Sequence, residues 1–401
     1  MLKDQLLANL TDCILPYWAD KMTDPRGGFY GRRDGEDRLD PEAPKGAILN
    51  ARILWTFSAA ARALGRDDYA ALAKRAYDYI SAHFIDREFG GAYWSLNADG
   101  SPLDTKKQFY AIAFIIYGLA EYYLLTSDPD ALSLAIDLFD VIETHSRDRE
   151  RIGYVEATTR TWEPIADMRL SDKDANSSKT MNTHLHIIEG YTNLLRALKE
   201  KCPGHPRTAD VAEATEGLLR IFLDRIENPR THHLTLFFDD DWRKLDDTES
   251  YGHDIEASWL LLETAQVIGR PELTAETLDH CRHIAEAGLQ GRCCDGSMLY
   301  ERHANGRYDD DKHWWVQAEQ LIGLLYLALF HGQPRRLEQA RRTWQFIEER
   351  IVDREGGEWH WSVRADGSVN TADDKAGFWK CPYHNSRMCL EGARVLSIIN
   401  E

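Results

Sequence analysis

An all-α chain folded as an (α/α)6 barrel is predicted by three observations. A short motif of glycine, aromatic and β-forming residues returns six times along 401 residues. Two helical segments separate each copy from the next, and they alternate between apolar on every side and apolar on one face. Six buried helices alternating with six half-wet ones make two concentric rings, with short β-hairpins gathered at one mouth.

The motif copies are Gly27-Gly28-Phe29-Tyr30-Gly31, Gly90-Gly91-Ala92-Tyr93-Trp94-Ser95 and Ile152-Gly153-Tyr154-Val155-Glu156, then His233-Leu234-Thr235-Leu236-Phe237-Phe238, Gly296-Ser297-Met298-Leu299-Tyr300-Glu301 and Gly356-Gly357-Glu358-Trp359-His360-Trp361. Turn sequences such as Asn97-Ala98-Asp99-Gly100 and Arg364-Ala365-Asp366-Gly367 follow several of them, so each copy reads as a small hairpin. The copies lie about 60 residues apart, with about 80 between the third and fourth, a spacing that signals a repeat architecture. The predicted helices span 2–20, 46–64, 67–85, 106–125, 128–146, 182–200, 207–228, 251–268, 272–289, 313–331, 335–353 and 382–399. Ile48 to Ala63, Phe109 to Leu125 and Trp314 to Phe330 are apolar almost all round, whereas Asp67 to Phe84, Asp128 to His145 and Arg335 to Val352 keep one wet face. Two packed helical domains are the competing architecture, but no linker rich in Gly, Pro or Ser divides the chain, so one barrel over residues 1–401 is expected.

Composition narrows the function classes. With 43% hydrophobic and 28% charged residues the chain has an ordinary globular composition. A formal charge of −18 argues against nucleic acid or an anionic membrane as partner, since both demand a basic face. The sequence shows no signal-peptide pattern and no apolar run of about 18 residues. Seven cysteines form no CxxC pair and no complete disulfide framework, and the vicinal Cys293-Cys294 reads as buried thiols rather than a redox site. A reduced, cytoplasmic protein, monomer or homodimer, is expected.

The barrel topology says where to look for chemistry. Each hairpin joins an outer helix to the next inner one, so six inner N-termini meet at one mouth. Polar residues in their first turns are Arg52, Tyr110, His184 within Met181-Asn182-Thr183-His184-Leu185-His186, His253 and Glu256, Trp315 and Glu319, and His384 after Trp379-Lys380-Cys381-Pro382-Tyr383. His253 and Glu256 share a helix face behind the capping candidates Glu249 and Ser250, and Trp315 and Glu319 share another. Singly, each has a bland reading: His253 as a helix cap, Arg52 as half of an ion pair, Trp315 and Glu319 as core and surface. Together, three imidazoles, a guanidinium, two carboxylates and several indoles suit proton transfer on a sugar, whose C–H faces stack on indoles. A helix N-terminus disfavours an imidazolium and so favours a neutral imidazole that accepts protons. No metal is expected: His184 and His186 are two apart, His232-His233 alternate across a strand, and no HExxH is present. Walker, GxGxxG and GxSxG motifs are absent as well.

The segments Asp174-Ala175-Asn176 through His186, Tyr251-Gly252-His253-Asp254-Ile255-Glu256-Ala257-Ser258-Trp259, Trp314-Trp315-Val316-Gln317-Ala318-Glu319 and Trp379 through Asn385 resemble the cellobiose 2-epimerase branch of the N-acylglucosamine 2-epimerase superfamily. The resemblance spans nearly the whole chain and implies an (α/α)6 barrel. It also implies a cofactor-independent epimerisation at C2 of the reducing sugar of a disaccharide such as cellobiose or lactose. By it, His253 and His384 are the acid–base pair, working through an enediol, and Arg52 and His184 stabilise the oxyanion and orient O1 and O2. Tyr110, Asn182, His186, Glu256, Glu319, Trp315 and Trp379 bind the sugar. An epimerase or aldose–ketose isomerase acting on monosaccharides is the nearest alternative. A glycoside hydrolase using Glu256 and Glu319, and a non-catalytic sugar binder, are further ones. The loop from Ile165 to Thr180 and the hairpin from Asp295 to Tyr308 are expected to shape an outer subsite.

Overall fold

Six inner helices close a ring, and everything else in the molecule serves to seat their N-termini. The computed structural model describes residues 1–400. Within them, α1 runs Leu2–Asn9 and Leu15–Lys21 through a π turn at Leu10–Ile14, and α2 is Ala47–Leu64. α3 is Asp67–Tyr79 with a π turn at Ile80–Phe84, α4 is Phe109–Thr126, α5 is Pro129–His145 and α6 is Met181–Lys201. α7 is Thr208–Ile221 with a π turn at Phe222–Ile226, α8 is Tyr251–Ile268 and α9 is Pro271–Gly288. α10 is Trp314–Phe330, α11 is Arg335–Phe346 with a π turn at Ile347–Ile351, and α12 is Tyr383–Ile399.

The even-numbered helices form the inner ring: α2 packs on α4, α4 on α6, and so on to α12, which packs back on α2. Their burial follows from their composition. Every residue of α2 from Ala47 to Ala61 and of α4 from Phe109 to Leu124 is buried. In the outer α5 only Ala131, Leu132, Ala135, Leu138, Phe139 and Ile142 are, the three-to-four spacing of a one-sided helix. α4 is also long and apolar enough to cross a membrane (hydropathy 1.4), contrary to the expectation that no such run exists, yet 89% of it is buried within the barrel. Its one charge, Glu121, is met by Arg62 of α2.

Each motif copy leads into a small hairpin, as expected: Arg32–Arg33 pairs with Leu39–Asp40, Ser95–Leu96 with Pro102–Asp104 and Glu301–Arg302 with Tyr308–Asp309, and single bridges close the others at Thr158 to Pro164, Phe238 to Lys244 and Val363 to Val369. Each copy itself makes a tight turn after an outer helix, closed by a single bridge: Thr23 to Phe29, Ile85 to Ala92, Arg147 to Tyr154, Glu227 to Leu234, Arg292 to Met298 and Val352 to Trp359. The turn requires a left-handed residue. Glycine supplies it at Gly28 (φ 61°) and Gly91 (φ 68°), and the fourth copy, which lacks glycine, bends His232 into the same region (φ 61°). Strands of these hairpins also link neighbouring repeats. Lys45–Gly46 pairs with Ser95–Leu96, Lys107–Gln108 with Ala157–Thr158, Lys179–Thr180 with Phe237–Phe238, Glu249–Ser250 with Glu301–Arg302, and Lys312–His313 with Ser362–Val363. A bridge from Arg33 to Ala376 completes the circle. This pairing also explains why α4 starts at Phe109 rather than at residue 106, since the two residues before it belong to a strand.

Buried ion pairs tie these strands to the turns. Lys45 meets Asp24 at 2.8 Å, Lys107 meets Asp86 at 2.7 Å, Lys179 meets Asp148 at 3.0 Å and Lys375 meets Asp353 at 2.6 Å. At the seam between chain ends, the carboxylate of Glu358 accepts from Lys380 (2.7 Å), from Asn385 of α12 and from the indole of Trp18 of α1. Both members of the Lys380–Glu358 pair are fully buried. Lys380→Met leaves that carboxylate buried without a cation, which is expected to lower stability by about 3–5 kcal/mol. Denaturant unfolding checks it, and an unchanged midpoint would show that the pair is neutral to folding.

Candidate active site

At the mouth, a cavity of about 390 Å³ is lined by Arg52, Tyr110, Asn182, His186, His253, Glu256, Trp315, Trp379 and His384. All but Trp379 lie in the first two turns of inner helices. Asn182 and His186 are the second and sixth residues of α6, and Trp315 and His384 are the second of α10 and α12. Residues four apart share a face, so α6 aims its second and sixth residues at the barrel axis, while α8 contributes its third and sixth, His253 and Glu256.

That register removes His184 from the site. At about 100° per residue, His184 is turned well away from Asn182, while His186 returns to the same face. His184 is fully buried outside the cavity; its Nδ1 donates to the Thr180 carbonyl (2.6 Å) and its Nε2 accepts from the Tyr154 amide (3.0 Å). Both ring nitrogens are spent on backbone, which contradicts the catalytic role expected of it. Glu319, expected to bind substrate, is also corrected. It is fully buried one turn beneath Trp315, and its oxygens accept from Nδ1 of His384 (2.7 Å), from Arg387 (2.7 Å) and from the Trp259 indole (2.9 Å).

Each remaining imidazole is held through Nδ1. His384 donates to Glu319, and His186 donates to Glu189 at 2.8 Å. Glu189 also accepts from Tyr383 and Arg387, and despite burial the Arg387 guanidinium holds its carboxyl below the usual range. His253 uses Nδ1 on the Ser250 hydroxyl at 2.7 Å. Ser250 is thus the N-cap residue of α8, but its side chain engages the histidine three residues on instead of a backbone amide. Burial drives His253 down to about 3 and, helped by the charges of Arg52 and Arg387, takes His384 well below the usual histidine range. Both imidazoles are neutral at pH 7, and each packs on Trp315, with ring centroids at 4.9 Å and 5.5 Å.

Two arginines lie in the site with opposite surroundings. Arg387 of α12 is bonded to three carboxylates, those of Glu189, Glu256 and Glu319. Arg52, 4% exposed, has no carboxylate partner among the described residues. It donates to the Tyr110 hydroxyl (2.9 Å) and contacts Cys381 Sγ, its plane lies over Phe114 and Tyr383, and its Nε has no partner. A buried cation without an anion is costly, so an anionic or strongly polarised ligand oxygen is what this corner is built to receive. Asn182 Oδ1 is likewise buried without a partner. Glu256 faces the cavity with its carboxyl pushed up to about 8 by burial and by Glu319 beside it. Glu256, Glu319 and His384 offer ligand atoms within 4.8 Å of one another, but the Arg387 guanidinium already spans both carboxylates as their cation.

Trp314, Trp361, His313 and Asp373 also line the cavity and escaped sequence reasoning; Tyr300, of the hairpin expected to shape an outer subsite, lines it too and did not. Arg387 carries the signal that had marked Arg52, a charge in the first turns of a buried helix. The extra residues between the third and fourth motif copies supply a wall, Leu170 to Asp174, that with Asn182, His253 and Tyr300 separates the cavity from an adjoining chamber of about 760 Å³.

The match to known proteins agrees with this geometry. Residues 28–387 match the family model described as N-acylglucosamine 2-epimerase (GlcNAc 2-epimerase). The chain belongs to the N-acylglucosamine 2-epimerase family. It is 53% identical over 393 residues to the cellobiose 2-epimerase of Bacteroides fragilis, covering 98% of each chain. It is 39% identical over 396 residues to that of Ruminococcus albus, again covering 98% of each. The solved cellobiose 2-epimerase structure of Spirochaeta thermophila superposes with a TM-score of 0.92 at 40% identity, covering 100% of this chain and 98% of that one.

The base of α6, which presents Asn182 and His186, is itself seated by a carboxyl. Glu156 accepts from the Thr180 amide, the Thr180 hydroxyl and the Thr183 hydroxyl, and no cation stands against it. Burial pushes it from 4.5 up to about 8, so folding favours its protonated form. That contribution is complete below the unfolded value of 4.5 and is lost as pH rises through about 8. Glu156→Gln is therefore expected to gain stability relative to the parent between pH 5 and pH 8. Thermal midpoints of both chains across that range check it, and a constant difference would contradict the assignment.

Proposed function

We propose that the chain is a carbohydrate 2-epimerase that interconverts glucose-type and mannose-type reducing ends of a β-1,4-linked disaccharide, cellobiose or lactose, by proton transfer at C2. The observation that carries this reading is Arg52, a buried guanidinium without a counter-ion beside two neutral imidazoles. Removing a proton from carbon next to a carbonyl puts negative charge on oxygen. A fixed cation at that point is worth several kcal/mol of barrier. The relatives' names supply the sugar class, and Trp315 and Trp379 supply faces on which its rings stack.

In this reading the open-chain aldehyde places its C1 and C2 oxygens toward Arg52 and Asn182. Nε2 of His384 takes the C2 proton, and Glu319 steadies the imidazolium through Nδ1. His253, bonded to Ser250, serves as the other acid–base group, in ring opening or on the opposite face of the enediolate. His186 presents Nε2 to the sugar hydroxyls, and Glu256, neutral below about pH 8, donates a hydrogen bond. The single-ring and two-ring substrates differ only in what occupies the outer cavity, which Leu170 to Asp174 and Tyr300 border.

Proton NMR of the chain with cellobiose, lactose and mannose in heavy water tests this. Deuterium at C2 with growth of a mannose-type reducing end on cellobiose is the expected outcome; ketose signals would make it an isomerase, and cleavage a hydrolase. His253→Gln and His384→Gln are each expected to lower C2 exchange by roughly 10²–10⁴-fold in a folded protein. Exchange at the parent rate in both would remove the histidine mechanism.

A further inference from the structure

Arg387 sits at the floor of the site, 3% exposed, and touches none of the cavity. Its Nη1 bonds Glu189 and the Tyr383 hydroxyl, and its Nη2 bonds Glu256 and Glu319, each at 2.7 Å. Its plane is clamped between the rings of Trp259 (4.7 Å) and Tyr383 (4.2 Å). Two of those carboxylates end on the two imidazoles that line the cavity beside Arg52: Glu189 on His186 from α6, Glu319 on His384 from α12. One guanidinium therefore connects histidines carried by different helices.

We propose that Arg387 is a positioning residue for the reaction: by bonding Glu189 and Glu319 at once, it fixes His186 and His384 as neutral imidazoles with Nδ1 protonated and Nε2 open to the cavity. The chemistry follows from the hydrogen bonds. A carboxylate that already accepts from Arg387 acts only as an acceptor, so the histidine facing it must donate. With Nδ1 committed as donor, Nε2 keeps its lone pair, and neither Nε2 has another partner among the described residues. A planar fork reaches three carboxylates from one centre, which an ammonium cannot do. Without the guanidinium, Glu189 and Glu319 would stand near His384 uncompensated, and its imidazolium would form at higher pH.

The groups facing His384 are Glu319 on α10, Glu256 on α8, Glu189 and His186 on α6, Arg52 on α2, and Tyr383 and Arg387 on its own helix. Of these, Arg52, Arg387 and His186 oppose its protonation, and Arg387 is the one whose loss also unmasks carboxylates.

This inference rests on His384 moving the C2 proton, and its test separates the two. Nitrogen-15 NMR of the parent chain is expected to find His186 and His384 in the Nδ1-protonated tautomer; an Nε2-protonated form of either overturns the proposal. Arg387→Lys keeps the charge but loses the fork. Its kcat for C2 exchange on cellobiose is expected to fall roughly 10–100-fold, with KM within about threefold and the acid limb of the pH profile unmoved. In Arg387→Gln that limb is expected to rise by about one pH unit or more, since neutral His384 is the active form. Variants that fold and keep the parent's kcat and pH profile overturn the positioning role. If Arg387→Gln does not fold, the lysine variant and the parent tautomers decide. No C2 exchange by the parent chain itself would instead remove the functional reading.

Discussion

An inner helix of this barrel has no wet face, and that constraint governs the rest of the molecule. A helix packed on all sides has nowhere to put a polar side chain except at its ends. α2 and α4 are buried throughout from Ala47 to Ala61 and from Phe109 to Leu124, and α2 holds only the small hydroxyls of Thr56 and Ser58 as polar groups in mid-helix. Polar residues are thereby driven into the first turns, where six N-termini converge. The two-residue strands before five of the six inner helices, bonded to the next repeat, set the height of those turns. The active site is the place where the architecture tolerates polarity.

Electrostatic accounting then divides the polar residues by role. Arg387 is surrounded by three carboxylates and belongs to the framework. Arg52, buried as deeply, is met by aromatic faces, a phenol and a thiol. The difference between them is the difference between a satisfied cation and one awaiting an anion. The same sorting applies to histidine. His184 has both nitrogens bonded to backbone, whereas His186, His253 and His384 commit only Nδ1. Burial keeps His253 and His384 neutral, the state in which imidazole accepts a proton.

Sequence reasoning went astray where three-dimensional direction mattered. Six recurrences of glycine and aromatics located the turns and the hairpins correctly, but a local pattern cannot reveal that a hairpin also takes a further strand from one repeat away. Between His184 and His186, a displacement of two residues turns a side chain from the barrel axis to the outer ring. Glu319 was placed on the right face, and only the packing shows His384 lying between it and the cavity. Arg387 was passed over: it shares with Arg52 its place in the first turns of an inner helix but not its apolar surroundings in sequence, since Tyr383-His384-Asn385-Ser386 precede it.

The sequence by itself determined the repeat, the twelve helices and their alternation, the end of the barrel that carries the chemistry, and the family. Those properties follow from periodic burial and from motifs read along the chain. The tertiary structure decided which nitrogen of each histidine is free, which arginine lacks a counter-ion, and which carboxylates support rather than bind. These depend on distances between helices far apart in sequence, such as the 2.7 Å from His384 on α12 to Glu319 on α10, which no local pattern encodes.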